Sequence, residues 1–288
     1  DYRSSRGLGD VYKRQKGTSV KIKVERQDEI QTITVNRDEI KLPDVPYSGI
    51  LKNNVGYIKL NGFTQTASAD VKKAFLQLKD EGMESLVLDL RGNGGGLVIE
   101  AVRIVNMFVK RGQVVVSTIG RVEEENRVYK TTEDPMDLDI PLVVLMDGSS
   151  ASASEIVGGS LQDLDRAVVI GTTSFGKGLV QRTYDLDYGS KVKLTIAKYY
   201  TPSGRCVQRL EYYDTEAGER PEAVPDSLIT IFKTKNGRDV IDGRGIEPDI
   251  EVKVKDFSRL TATVFANNFV FDYATDYYYN CLLYTSDA

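Results

Sequence analysis

The sequence predicts an α/β fold, a twisted and largely parallel sheet with helices on both faces. Three observations carry this expectation. Strand and helix patterns alternate from Gly56 through Ile170. The run LVVLM at 142–146 is continuously apolar, as in a strand covered on both sides. Turns rich in glycine or serine follow the strands, where α/β sheets place the loops that face a crevice.

The elements follow in order. Val20, Ile22 and Val24 alternate with polar residues, and Ile33 and Val35 do so again, so 17–35 reads as a hairpin of half-buried strands. Pro43 and Pro46 mark a linker over 41–48. Residues 56–60 form a short strand. Val71, Ala74, Phe75 and Leu78 recur at helical spacing, which predicts a helix over 68–81 with Ser68 as N-cap and Gly82 as its stop. LVLDL at 86–90 is a buried strand. A second helix spans 97–111, with Ala101, Ile104, Val105 and Phe108 on one face and Gly112 after it. A strand begins at 114–116, 153–162 is helical, and 167–170 and 192–200 are strands. Phe265, Phe269, Tyr273 and Tyr277, four apart, mark one C-terminal helix over 256–279.

Composition narrows the chemistry. With 288 residues the chain can hold one large domain or two smaller ones. A net charge of −4 argues against non-specific nucleic-acid or anionic-membrane binding. No apolar run is long enough for a membrane-spanning helix. There is no histidine, which removes the Ser-His-Asp triad, the Cys-His dyad and every histidine-bearing metal site. Two cysteines, Cys206 and Cys281, cannot make a cysteine-only zinc site. Proton transfer near neutral pH falls to carboxylates, lysine or tyrosine.

Three segments after core strands could do chemistry. The first, Asp89-Leu90-Arg91-Gly92-Asn93-Gly94-Gly95-Gly96, lets the backbone approach a ligand and offers N–H groups to an anion or oxyanion. It equally reads as a tight strand-to-helix turn, and it lacks both Walker-A and GxGxxG spacing. The second, Asp147 to Glu155, places hydroxyls at a helix start where N–H dipoles favour negative charge. Its structural alternative is a capping box of Ser152 with Glu155. The third, Thr173 to Gln181, holds Lys177 between glycines. A lysine acts as general base only when desolvation brings its pKa from about 10.4 toward 7. Gln181, four residues on, could orient the amine. The alternative is an ordinary surface lysine.

Together, and in this order, GYIKLNGF, LVLDLRGNGGGL, SSASASEIVGGSLQD, GTTSFGKGLVQ, KYYTPSGR and GRGIEPDI make the stretch from Tyr57 to about Ile250 resemble the carboxyl-terminal processing proteases. These tail-specific proteases are S41 serine peptidases with a Ser-Lys dyad. The resemblance implies a ClpP/crotonase-like core with Ser152 as nucleophile and Lys177 as its base. It further implies Gln181 as the group orienting the lysine, and an oxyanion hole from the N–H of Ala153 and of Gly95 or Gly96. Gly94 stands where family members usually carry proline, which leaves the choice of glycine open. No cofactor or metal is required. The expected partners are protein or peptide substrates with extended C-terminal tails, with an envelope adaptor protein and a homo-oligomer as further candidates, and no nucleic acid. The family's usual location is the periplasm or cell envelope. The competing readings are a non-catalytic S41-like scaffold and a crotonase-like acyl-CoA enzyme. The first would be expected to lose Ser152 or Lys177, and the second would not need Ser, Lys and Gln at these spacings.

The ends read differently. Residues 1–15 and 280–288 show no periodicity and resemble translated sequencing adapter, so the native protein is expected to extend further at its N-terminus. The expected organisation is a non-native tail over 1–15, the end of a PDZ domain over 16–42 and a peptidase core over 43–255. A C-terminal helix over 256–279 and a second tail over 280–288 complete it.

Overall fold

The computed structural model describes residues 16–26, 29–38, 42–211, 222–253 and 257–281. The adapter-like stretches lie outside them, except for Asn280 and Cys281. In chain order the strands that matter here are β1 (Ser19–Arg26), β2 (Glu29–Asn36), β3 (Tyr47–Ile50), β4 (Val55–Lys59), β5 (Ser85–Asp89), β6 (Val114–Gly120), β7 (Arg127–Lys130), β8 (Leu142–Met146), β9 (Val168–Gly171), β10 (Leu179–Asp185) and β11 (Lys191–Tyr200). The α-helices are α1 (Ala67–Asp80), α2 (Val98–Asn106), α3 (Ala153–Asp163), α4 (Arg259–Ala266) and α5 (Phe269–Cys281).

The central sheet is mixed and largely parallel. Its order is Ile250–Glu251, β9, β8, β5, β4, β3, and only the β3–β4 pairing is antiparallel. Parallel register sets Ile58 beside Leu88 and Leu88 beside Val144, and these fully buried side chains continue the core to Val169. α1 buries Ala67, Val71, Ala74, Phe75 and Leu78, the stripe expected from the sequence, and its N-cap is Thr66 rather than Ser68. α1 packs on α2, and α2 on α3.

The expectation that the sheet is covered on both faces does not hold. Leu142, Val144 and Met146 are buried, whereas Val143 and Leu145 are only half-buried, as are Tyr57 and Val87 on the neighbouring strands. The apolar run at 142–146 records a half-covered second face.

A second sheet, antiparallel in the order β10, β11, β6, β7, stands apart from the first. It is tied to α3 where Ser160 Oγ donates to Val115 O at 2.7 Å. The expected hairpin β1–β2 is present, but Ile22, Ile33 and Val35 are exposed rather than half-buried. It forms a two-stranded sheet of its own.

The single C-terminal helix expected from the aromatic spacing is two helices. The chain breaks at Asn267–Asn268, where Asn268 takes a φ of 56°, a left-handed conformation that asparagine tolerates better than most residues. α5 then runs on through Cys281, past the boundary expected at 279. Among the described residues no helix is long and apolar enough to cross a membrane.

Candidate active site

The glycine-rich loop after β5 starts from a buried carboxylate. Asp89 is 1% exposed. Its Oδ1 accepts the Arg91 backbone N–H at 2.9 Å and Nε at 3.0 Å, and its Oδ2 accepts Arg91 Nη2 at 2.7 Å and the Tyr57 hydroxyl at 2.5 Å. Burial pushes the carboxyl pKa up, but the Arg91 guanidinium and the Tyr57 hydroxyl outweigh it and hold the pKa at about 2. Because the folded value lies below the unfolded one, Asp89 stabilises the fold above about pH 4, and this contribution is lost as pH falls toward 2. Asp89→Asn is therefore expected to cost about 2 kcal/mol in urea unfolding at pH 7. The gap to wild type should narrow below about pH 4.

From there the loop is stitched to the serine turn after β8. Asp147 Oδ1 accepts the N–H of Gly92 at 3.0 Å and of Ser149 at 2.9 Å. Asn93 O accepts Ser154 Oγ at 2.9 Å and Ala151 N at 3.0 Å. Ser150 Oγ donates to Leu90 O at 2.9 Å. Gly95, with φ of 97°, lies so close that a Cβ there would stand 2.6 Å from Ala151 O and 2.8 Å from Ser152 Cβ. Only glycine fits.

Ser152 is the N-cap of α3, and its φ of 57° and ψ of −112° are strained for a residue with a side chain. Strain of this kind costs about 1–3 kcal/mol and persists only where the surroundings impose it. The imposing groups are Glu155, whose Oε2 accepts the Ser152 N–H at 2.8 Å, and Tyr199, whose hydroxyl donates to Ser152 O at 3.2 Å.

Glu155 is the residue whose role the sequence did not reveal. Read only as the far end of a capping box, it is fully buried and also holds the lysine loop. Oε1 accepts Ser174 Oγ at 2.5 Å and Gly176 N at 2.7 Å, while Oε2 accepts Lys177 N at 2.9 Å and Tyr199 Oη at 3.4 Å. One carboxylate thus fixes the spacing of the two loops that bear Ser152 and Lys177. Burial pushes its pKa up, against hydrogen bonds that favour the ionised form. No local pattern marks Glu155 as more than a cap, because Ser174, Gly176 and Lys177 are distant in sequence.

The lysine loop is backed by 207–209. Gly178 N donates to Gln208 Oε1 at 2.7 Å, and a Cβ on Gly176, whose φ is 84°, would meet Arg209 Cβ at 2.5 Å. Just before this segment, Arg205 anchors the chain to α3 by a buried ion pair, Nη2 to Asp163 Oδ1 at 2.8 Å.

These loops enclose a cavity of about 310 Å³. Ser152, Lys177, Gln181, Gly95 and Gly96 line it, with Val98, Leu179, Val180, Lys193 and Tyr199 among the other walls. Ala153 is buried behind the serine. Ser152, Lys177 and Gln181 share this space without a side-chain hydrogen bond joining any two of them. Gln181 sits just after a bulge in β10 and is exposed. Of the loop glycines, Gly95 gives its N–H to Asn93 Oδ1 at 2.9 Å. The N–H groups of Gly96 and Ala153 have no partner among the described residues. Nor do those residues include a cluster of carboxylates or thiols arranged to hold a metal ion.

A hydroxyl at a helix start, beside unpaired N–H groups and an amine in the same cavity, is how a serine-type acyl-transfer site can be built without histidine. Comparison with known proteins gives the family. The model of Peptidase family S41 matches residues 54–213, more than half of the 288, and the chain belongs to that family. It is 36% identical over 212 residues to a carboxyl-terminal-processing protease of Picosynechococcus sp., covering 71% of this chain and 50% of the relative. It is 37% identical over 198 residues to a carboxy-terminal-processing protease of Bartonella bacilliformis, covering 67% of this chain and 45% of the relative. Among solved structures it is similar to the photosystem II D1 C-terminal processing protease, at 26% identity and a TM-score of 0.56, covering 83% of this chain and 56% of that one. The chain spans about half the length of the curated relatives it matches.

Proposed function

We propose that this chain is the catalytic core of a serine endopeptidase that cleaves near the C-termini of unfolded or tail-bearing proteins. The observation that carries the reading is the shared cavity of Ser152, Lys177, Gln181 and the glycine loop in a chain without histidine. Ser152 Oγ attacks the peptide carbonyl while Lys177 Nζ takes its proton. The N–H groups of Ala153 and Gly96 hold the oxyanion, since the Gly95 N–H is already given to Asn93. The Lys177 ammonium then protonates the departing amine, leaving an acyl-enzyme. Water, deprotonated by Lys177, releases the acid product and regenerates Ser152. Gln181 orients the amine.

β10 is an edge strand that begins two residues after Lys177, so an extended substrate can add to it as a further strand. The half-covered sheet with its adjoining helices is the ClpP/crotonase-like core, and β1–β2 is the remnant of a PDZ domain. A periplasmic or envelope location, an adaptor protein and self-association complete the proposal.

The test is proteolysis of an unfolded protein by the full-length gene product and by its Ser152→Ala variant. Loss of cleavage with an unchanged thermal midpoint is expected. Cleavage that survives in the variant would overturn the reading.

A further inference from the structure

The site cavity contains more positive charge than the chemistry uses. Lys177 supplies the one amine the mechanism needs, yet Lys193 on β11 also lines the cavity, and no carboxylate does. Glu155 cannot compensate, because it is fully buried and both of its oxygens already accept hydrogen bonds from the protein. Lys193 has no ion-pair or hydrogen-bond partner among the described residues. Its strand neighbour Lys191 pairs with Asp185 at 2.5 Å, and across the hairpin Arg182 pairs with Glu125 at 2.7 Å. Lys193 sits opposite Thr183, two residues beyond Gln181 along β10, which places its charge beside the edge strand on which an extended chain would lie. Lys193 is itself exposed, and the neighbouring cavity walls Val98, Leu179 and Val180 are apolar and carry no charge that competes with it.

We infer that Lys193 is a specificity-determining residue that selects peptides carrying a carboxylate close to the scissile bond. The group can be an aspartate or glutamate side chain or the free α-carboxylate of a short tail. The inference rests on the peptidase reading for its substrate class, but the charge recognition can be measured without catalysis.

The experiment uses three labelled peptides of one extended sequence. The first has a C-terminal amide and asparagine near the scissile position, the second replaces that asparagine by aspartate, and the third keeps asparagine but ends in a free acid. Binding to the Ser152→Ala protein is followed by fluorescence anisotropy, and cleavage by the protein with Ser152 intact. Each is repeated with Lys193→Met and Lys193→Glu. At least one carboxylate peptide should bind about two- to fivefold more tightly than the neutral one. Lys193→Met should remove that ratio and Lys193→Glu should invert it, with added salt weakening only the charged pair. A preference seen with the second peptide assigns side-chain recognition, and one seen only with the third assigns the terminus. Equal binding of all three peptides, or a ratio that survives Lys193→Glu, would overturn the inference. Cleavage without a charge ratio would leave the peptidase reading standing and defeat this one. A Lys193-dependent ratio in binding without any cleavage would do the reverse.

Discussion

Lys177→Arg is expected to abolish peptide hydrolysis as completely as Lys177→Ala, a loss of about 10²–10⁴-fold in kcat. The two variants separate charge from proton transfer. Arginine keeps a cation in the cavity and stays protonated in proteins, so it cannot accept the serine proton. Stability should change little in either variant, because the Lys177 side chain has no hydrogen-bond or ion-pair partner among the described residues and only its backbone N–H is held, by Glu155. Kinetics on an unfolded substrate and a thermal melt check both halves. Near-normal turnover by the arginine variant would reduce Lys177 to a positive charge and leave the base unassigned. Gln181→Ala should be milder, since an amide that orients the amine transfers no proton.

How much of this was legible in the sequence differs from element to element. The helix α1 and the strands β4, β5, β8 and β9 were readable because their period is local. Ser152 and Lys177 stand out as candidates because each lies in a short motif directly after a core strand, and both line the cavity. Partnership between strands distant in the chain was not readable, unlike that of the β1–β2 hairpin. The start of β6 was evident, but its antiparallel pairing with β11, such as Ser117 with Tyr200, joins residues far apart in the chain. The aromatic spacing at 265–277 predicts one helix. It instead crosses a break at Asn268, and Phe265, Phe269, Tyr273 and Tyr277 are all exposed. Tyr199 belongs to a recognisable motif, but nothing in that motif announces a hydroxyl aimed at the Ser152 carbonyl and at Glu155.

Glu155→Gln should damage the site although Gln is nearly isosteric. Every protein group around the two carboxylate oxygens is a donor, and a glutamine amide has only one accepting oxygen. If its NH₂ replaces Oε2, it faces the N–H groups of Ser152 and Lys177. If it replaces Oε1, it faces the N–H of Gly176 and the hydroxyl of Ser174, which already accepts Ile246 N at 2.7 Å. Either way at least one buried backbone N–H loses its acceptor, at a cost of about 1–3 kcal/mol. The loops bearing Ser152 and Lys177 then lose their common anchor. A displacement of about 1 Å at a reacting pair can cost on the order of 10²-fold, so kcat should fall that far with little change in KM. A merely structural role would lower the thermal midpoint without this kcat–KM split. The pH dependence gives a second readout. Burial raises the folded carboxyl pKa above the ordinary glutamate value, so in the window between them the native state holds a proton that the unfolded chain has released. Wild-type stability relative to the variant should therefore decline as pH rises from about 4.5 to the folded pKa, by up to about 1.4 kcal/mol per pH unit, and then level off. Urea unfolding of both proteins between about pH 4 and pH 8 measures this difference. If the wild-type advantage grows with pH instead, the surrounding donors outweigh burial and Glu155 is ionised throughout the range in which the protein is folded.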